Sequence, residues 1–257
     1  MINPLLEHNT LPPFNSIVPE HIVPAIETIL KALRVGIEEL LETRPYNYES
    51  VVKARENLKD KLHHAWSPVS HLNSVMNSDE LRDAHTACLA MITDYYTEAG
   101  QNRPLFEAYQ AIAESAQYDS LSQAGRKVID NALKDFRLSG IDLPESEQAR
   151  FSELSREISG LNSAFNNNVL DATQVWQKLI TEKSGLSGVP HNALVSMHQN
   201  AVDKELQGYL LTLDAPCYLA IMTHCDDRTL RQELYTAFGT RASNLGPNAG
   251  EFDNSDV

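Results

Sequence analysis

The 257-residue chain sets 21 Lys and Arg against 35 Asp and Glu, a net charge of −14 at neutral pH, and 42% of it is hydrophobic. The acidic balance opposes phosphate backbones and anionic lipid, which argues against nucleic-acid and membrane partners. With 11 Gly and 12 Pro, the composition is that of a folded protein and not of a linker or a disordered segment. The start, Met1-Ile2-Asn3-Pro4, has no positive n-region and no apolar h-region behind it, and no run of about 18 apolar residues occurs anywhere. Cys88, Cys217 and Cys225 are odd in number and never spaced C-x-x-C. Reduced thiols in the cytoplasm are the expectation.

Taken in chain order, most of the sequence has helical periodicity. After Pro19, apolar residues fall at Ile22, Ile26, Ile29, Leu33, Ile37, Leu40 and Leu41, and Arg44-Pro45 closes the pattern. Asn47 is a cap for a second helix with the face Val51, Ala54, Leu58, Leu62 and Ala65. Ser67-Pro68 then has the form of an N-cap with proline at the first helical position, which predicts a new short helix through Val75. Ser78, with Asp79 and Glu80 behind it, opens a helix striped by Leu81, His85, Cys88, Ile92 and Tyr95 and stopped at Gly100. Pro104 begins a helix through Phe106, Tyr109 and Ile112. Another is predicted from about Leu121 to Leu138, with Val128, Leu133 and Phe136 inward and Gly140 as C-cap.

Pro144, Glu145 and Glu147 open the longest candidate, with a seam of Phe151, Leu154, Ile158, Leu161, Phe165 and Val169. Gly160 interrupts it at a cost of about 1 kcal/mol relative to Ala. The apolar period then shortens to two. Val175–Ile180 and Tyr209–Leu213 are short, β-leaning runs on either side of a helix from Pro190 to about Leu206. Two further helices are predicted, from about Pro216 to His224 and from Asp227 to Ala242. The close, from Ser243 to Val257, has loop chemistry and reads as a chain about to enter another helix. The fold class is therefore mainly α, a bundle of roughly ten helices with one small β element. Its expected sub-parts are 1–170 helical, 171–215 β with helix, and 216–257 helical.

Recognisable catalytic patterns are missing. None of the 9 histidines is followed by Glu, so the His-Glu-x-x-His helix, which places two histidines on one Zn²⁺ and a general base beside it, is not there. G-x-S-x-G, G-x-G-x-x-G and G-x-x-x-x-G-K are also absent. His85 and Cys88 share a helix face and could offer two ligands, but a structural site wants four. A half-buried histidine beside a buried cysteine is the plainer reading. His224-Cys225-Asp226 has the residue types of nucleophile and base, yet neighbours on a helix point about 100° apart. His63-His64, near Trp66, is better read as a stacked or solvated imidazole pair than as ligands.

Several longer stretches carry more information. Asn3-Pro4-Leu5-Leu6, Leu11-Pro12-Pro13-Phe14 and Pro19-Glu20-His21-Ile22-Val23-Pro24 come first, and Ser67-Pro68-Val69-Ser70-His71-Leu72-Asn73-Ser74-Val75 comes next. Phe136 to Ile141, Asn168 to Thr173, Gly208 to Asp214, Leu230 to Ser243 and Gly246-Pro247-Asn248 continue the series in order. Together they resemble the N-terminal part of the thimet-oligopeptidase family of zinc metallopeptidases, along essentially the whole chain.

The resemblance implies a largely helical enzyme with a deep channel that admits short unstructured peptides and excludes folded proteins. It places the zinc ligands, the general base and most substrate-positioning residues in a C-terminal half, which this chain does not contain. No catalytic or zinc-binding residue carries over to any position here, and substrate-binding residues are unassigned. Zinc is implied for the full-length enzyme and no cofactor for residues 1–257 alone. The implied partners are short peptides and the missing C-terminal catalytic half. The chain is thus expected to form a channel wall, inactive alone. The alternative is a stand-alone helical module that binds peptides without catalysis.

Overall fold

The computed structural model describes residues 3–7 and 11–257, so the reading of Met1 and Ile2 lies outside it. Two compact units divide the chain, Met1–Gly160 and Leu161–Val257.

The first unit is built from helices. Helix α1 (Pro19–Glu42) carries proline and Glu20 in its first turn, where a missing N–H costs nothing and an acid suits the dipole. Its predicted stripe is core: Ile22, Ile26, Leu33 and Ile37 are all buried. Asn47 does cap, its side chain accepting from the Ser50 N–H at 2.9 Å, but it opens a π-helical stretch, Tyr48–Lys53, that runs into α2 (Ala54–Val75). The predicted restart at Ser67-Pro68 does not occur. Helix α2 runs unbroken through Pro68, which is itself buried. An interior proline costs about 3 kcal/mol. Burying Val69 and Leu72 on the same helix, at about 1.5–3 kcal/mol each, offsets it.

Ser78 caps α3 (Asp79–Gly100), accepting from the Leu81 N–H at 3.3 Å, and Asn102 caps α4 (Arg103–Ala113) through the Leu105 N–H at 2.9 Å. A short α5 (Ala116–Ser120), for which the sequence carried no clear signal, precedes α6 (Gln123–Leu138). In α6 the buried face is Gly125, Ile129 and Phe136. Val128, expected inward, is exposed because it sits about 100° around the helix from Ile129. Helix α1 packs on α2, α3 and α4, and α4 packs on α6.

Helix α7 (Glu145–Val175) is 31 residues long, and the division between the units falls within it. It forms as predicted, but its seam is not core. Leu154, Ile158, Leu161 and Phe165 are exposed, Phe151 and Val169 are half-buried, and Ala172 is the buried residue of the helix.

In the second unit the change of period is a real strand pairing. Strand β1 (Gln177–Ile180) lies antiparallel to β2 (Tyr209–Thr212), with Gln177 opposite Thr212 and Ile180 opposite Tyr209. Helix α8 (His191–Val202) bridges them and stops earlier than predicted. The return into β2 needs Gly208, whose φ is +124° and where a Cβ would lie 2.5 Å from the Ile180 carbonyl oxygen. Asp214 caps α9 (Ala215–His224) and Asp227 caps α10 (Arg228–Gly239), whose end falls short of the predicted Ala242. The core here is Trp176, Leu186, Met197, Leu211, Ile221 and Leu234. Beyond α10 the loop is held by Asn254, whose amide donates to the Phe165 carbonyl at 3.2 Å and whose Oδ1 accepts from Asn168 at 2.8 Å.

Candidate functional site

The first candidate, His85 with Cys88, lies on α3 facing the core. The His85 ring stacks on Trp66 of α2, centroids 4.6 Å apart and planes at 21°. Burial holds its pKa below the usual histidine range. Cys88 is completely buried and its thiol is pushed up to about 12, first by desolvation and then by Glu27. Two side chains fall short of the four ligands that a structural zinc site takes, and the imidazole is engaged in stacking on Trp66. The imidazole that stacks on Trp66 is thus His85 and not His63 or His64. His63 and His64 sit ring to ring at 6.4 Å, with His64 Nε2 3.2 Å from Asp60 Oδ2.

The second candidate, His224-Cys225-Asp226, is a structural corner. The Cys225 thiol points to the Gly185 carbonyl at 3.7 Å, while Asp226 accepts from the Ser187 hydroxyl at 2.7 Å and its N–H donates to the Ser187 carbonyl at 2.8 Å. Gly188, at φ +85°, makes the close approach possible, since a Cβ there would lie 2.2 Å from the His224 carbonyl oxygen. The Cys225 thiol and the Asp226 carboxylate are thus spent on holding the corner together. Among the described residues, no group of three or more His, Cys, Asp or Glu is placed to hold a metal ion. The described side chains do not fit a zinc centre.

Two concave regions were not legible in the sequence. In the first unit, a cavity of about 400 Å³ has Tyr109 and Phe136 as its floor and Arg55, Lys59, Tyr96 and Asp135 on its rim. The Arg55 guanidinium lies 5.2 Å from the Phe136 ring and 5.5 Å from that of Tyr109, and it donates to the Tyr109 hydroxyl at 3.4 Å. Burial raises the Tyr109 phenol pKa, and Arg55 opposes that rise. In the second unit, a groove of about 580 Å³ runs between α8 and α9, lined by Ala193, Ser196, Met197, Asn200, Ala220 and Thr223. Both regions combine an apolar floor with hydrogen-bonding side chains, the composition of sites that hold organic ligands. Cys217 and His224 also line the groove, but they stand seven residues apart on one helix, about 10 Å along its axis, too far to act as a nucleophile–base pair. No local motif announces either region, because residues such as 55, 109 and 136 meet only after α2, α4 and α6 pack.

Comparison with known proteins decides what kind of scaffold this is. Residues 26–148 match the N-terminal domain of neurolysin/thimet oligopeptidase. Oligopeptidase A of Haemophilus influenzae is 48% identical over 257 residues, covering 100% of this chain and 38% of that protein. The chain is a homologue of oligopeptidase A. The Escherichia coli oligopeptidase A is 46% identical over 258 residues, again covering 100% of the chain and 38% of the relative. A probable cytosolic oligopeptidase A of Arabidopsis thaliana is 34% identical over 262 residues, 99% of the chain and 37% of that protein. The chain therefore spans well under half the length of the oligopeptidase A relatives it matches. It is mainly helical, with a single two-stranded sheet among the described residues. No described helix is long and apolar enough to cross a membrane.

Proposed function

We propose that this chain is the N-terminal, channel-wall part of a cytoplasmic zinc oligopeptidase that degrades short unstructured peptides. Its support is the 48% and 46% identity to two oligopeptidases A over the entire chain. In this reading residues 1–257 contribute shape and contacts, and metal and general base come from the polypeptide that the longer relatives possess. Peptide contacts of the kind offered by the Arg55 cavity and the α8–α9 groove are apolar, with a few polar anchors, which suits unfolded segments of varied sequence.

A quenched fluorescent decapeptide tests this. Residues 1–257 alone should give no chelator-sensitive cleavage, and the same residues joined to the remaining polypeptide of Escherichia coli oligopeptidase A should cleave it. Turnover by the isolated chain, with contaminating peptidases excluded, overturns the reading. So does a folded, zinc-loaded joined protein that leaves the decapeptide intact. Tight metal-free peptide binding by the isolated chain would favour a stand-alone binding module instead.

A further inference from the structure

We infer that the cavity rimmed by Arg55 is a binding site for a monocarboxylate with an apolar, ring-bearing body, either the C-terminal residue of a short peptide or a free aromatic acid. All of it belongs to the first unit, with Arg55 on α2, Tyr96 on α3, Tyr109 on α4 and Asn131 and Phe136 on α6. In its peptide form the inference rests on the proposed function.

The anchor is a guanidinium that the described protein leaves without a counter-ion. Arg34 and Arg156 pair with Glu98 and Asp94, whereas the half-buried Arg55 bonds the Tyr109 hydroxyl and, among the described residues, no carboxylate. Its position is fixed by the Phe136 and Tyr109 rings, 5.2 and 5.5 Å away, in cation–π contact. That leaves further N–H groups of the fork for a ligand. A guanidinium is weakly hydrated and matches a carboxylate through two parallel bonds. The Tyr96 hydroxyl and the Asn131 amide lie on the same wall, and neither side chain makes a hydrogen bond to a described residue.

Charge and shape select the ligand class. On the rim Glu56 is taken up by Lys59 at 3.1 Å, and Asp135 is a further acid. Two cations and two carboxylates leave room for the single negative charge that Arg55 can bind. A dianion such as a phosphate monoester would meet both acids and the −14 charge of the chain. The floor of Tyr109 and Phe136, with the Tyr96 ring beside it, suits an aromatic side chain in edge-to-face contact. A volume of about 400 Å³ is within the range of small-ligand sites.

Ligand-observed NMR titration of residues 1–257 tests the site. The probes are 3-phenylpropionate, N-acetyl-triglycyl-phenylalanine and the carboxamide of each. Both acids are expected to bind and to displace one another, with each amide at least tenfold weaker. Arg55→Gln should weaken both acids by at least tenfold. Val128 lies on the cavity wall and is 40% exposed, so Val128→Trp fills the cavity from its open side and should weaken both acids equally strongly. If Arg55→Gln fails to fold, the amides and Val128→Trp decide. A tighter peptide acid assigns the site to peptide C-termini, and a tighter phenylpropionate assigns it to free aromatic acids. Equal binding of acid and amide overturns the site, as does unchanged binding by folded Arg55→Gln or Val128→Trp, or no binding of either acid by the parent. None of these readings involves cleavage, so loss of the site leaves the proposed function standing, and a joined protein without peptidase activity leaves the site standing.

Discussion

Helices α1 and α7 have the same sequence grammar and opposite fates. Both open with proline and acidic residues, both are long, at 24 and 31 residues, and both carry an apolar residue every three or four positions. In α1 that stripe is enclosed by α2, α3 and α4, leaving Ile22 and Ile26 without accessible surface. In α7 the stripe is open to water and its polar side makes the contacts. Periodicity tells a helix apart from a strand. It does not say whether the element that covers the apolar face is part of the same chain.

The contrast is challenged most forcefully in α1. Leu33→Ala, at a fully enclosed position, is expected to lower the stability of its unit by about 2–5 kcal/mol through lost burial and a residual cavity. Chemical denaturation of the parent and variant would measure it, and a loss below about 1 kcal/mol would mean that α1 is not core. Asp227→Ala is expected to cost about 1 kcal/mol, because the carboxylate accepts from the N–H groups of Thr229 and Leu230 at the start of α10. Asp227→Asn should restore most of that loss. If Asn is no better than Ala, charge rather than capping is the source of the stability.

A smaller effect concerns His85. Its folded pKa is lowered by burial against Trp66, so the folded state favours the neutral ring. That contribution to stability is complete above the unfolded value of about 6.5 and is lost as pH falls through it, levelling off below the depressed folded value. His85→Phe, which keeps an aromatic ring against Trp66, should therefore flatten the fall in stability on acidification. Thermal melts between about pH 7.5 and pH 5, either side of the histidine range, decide this for the two proteins, and parallel curves would refute it. Last and smallest, Ile158→Ala in the isolated chain should change stability by no more than about 0.5 kcal/mol, as for other surface positions. A loss of several kcal/mol would show that the α7 seam is already covered.

Local chemistry explains where the sequence reading succeeded. Asn47 and Ser78 each have a short polar side chain that reaches an N–H three residues on, and the structure puts both to that use. The two-residue period at Gln177–Ile180 and Tyr209–Thr212 is a strand pair because alternate side chains there meet one core. Ser67-Pro68 misled for the same local reason. The dipeptide has the form of a helix start, and only the packing of Val69 and Leu72 keeps α2 continuous. Val128 shows how narrow the margin is, since one step along α6 separates a core residue from an exposed one. His85-Cys88 and His224-Cys225-Asp226 had the right residue types for chemistry, but stacking, a buried thiol and a tightly bonded corner occupy them instead.

The mainly helical class, the small antiparallel sheet, the helix caps and the kinship with oligopeptidase A were all written in the residue order. These depend on patterns a few residues long or on identity along the chain, and neither requires knowing what touches what. Packing in three dimensions settled which apolar faces became core, that Pro68 sits inside a helix, and that Arg55 lies above Tyr109 and Phe136 at the edge of a cavity. Those outcomes depend on contacts between residues far apart in sequence. Burial is a property of the pair in contact, and a linear string of residues records only one member of each pair at a time.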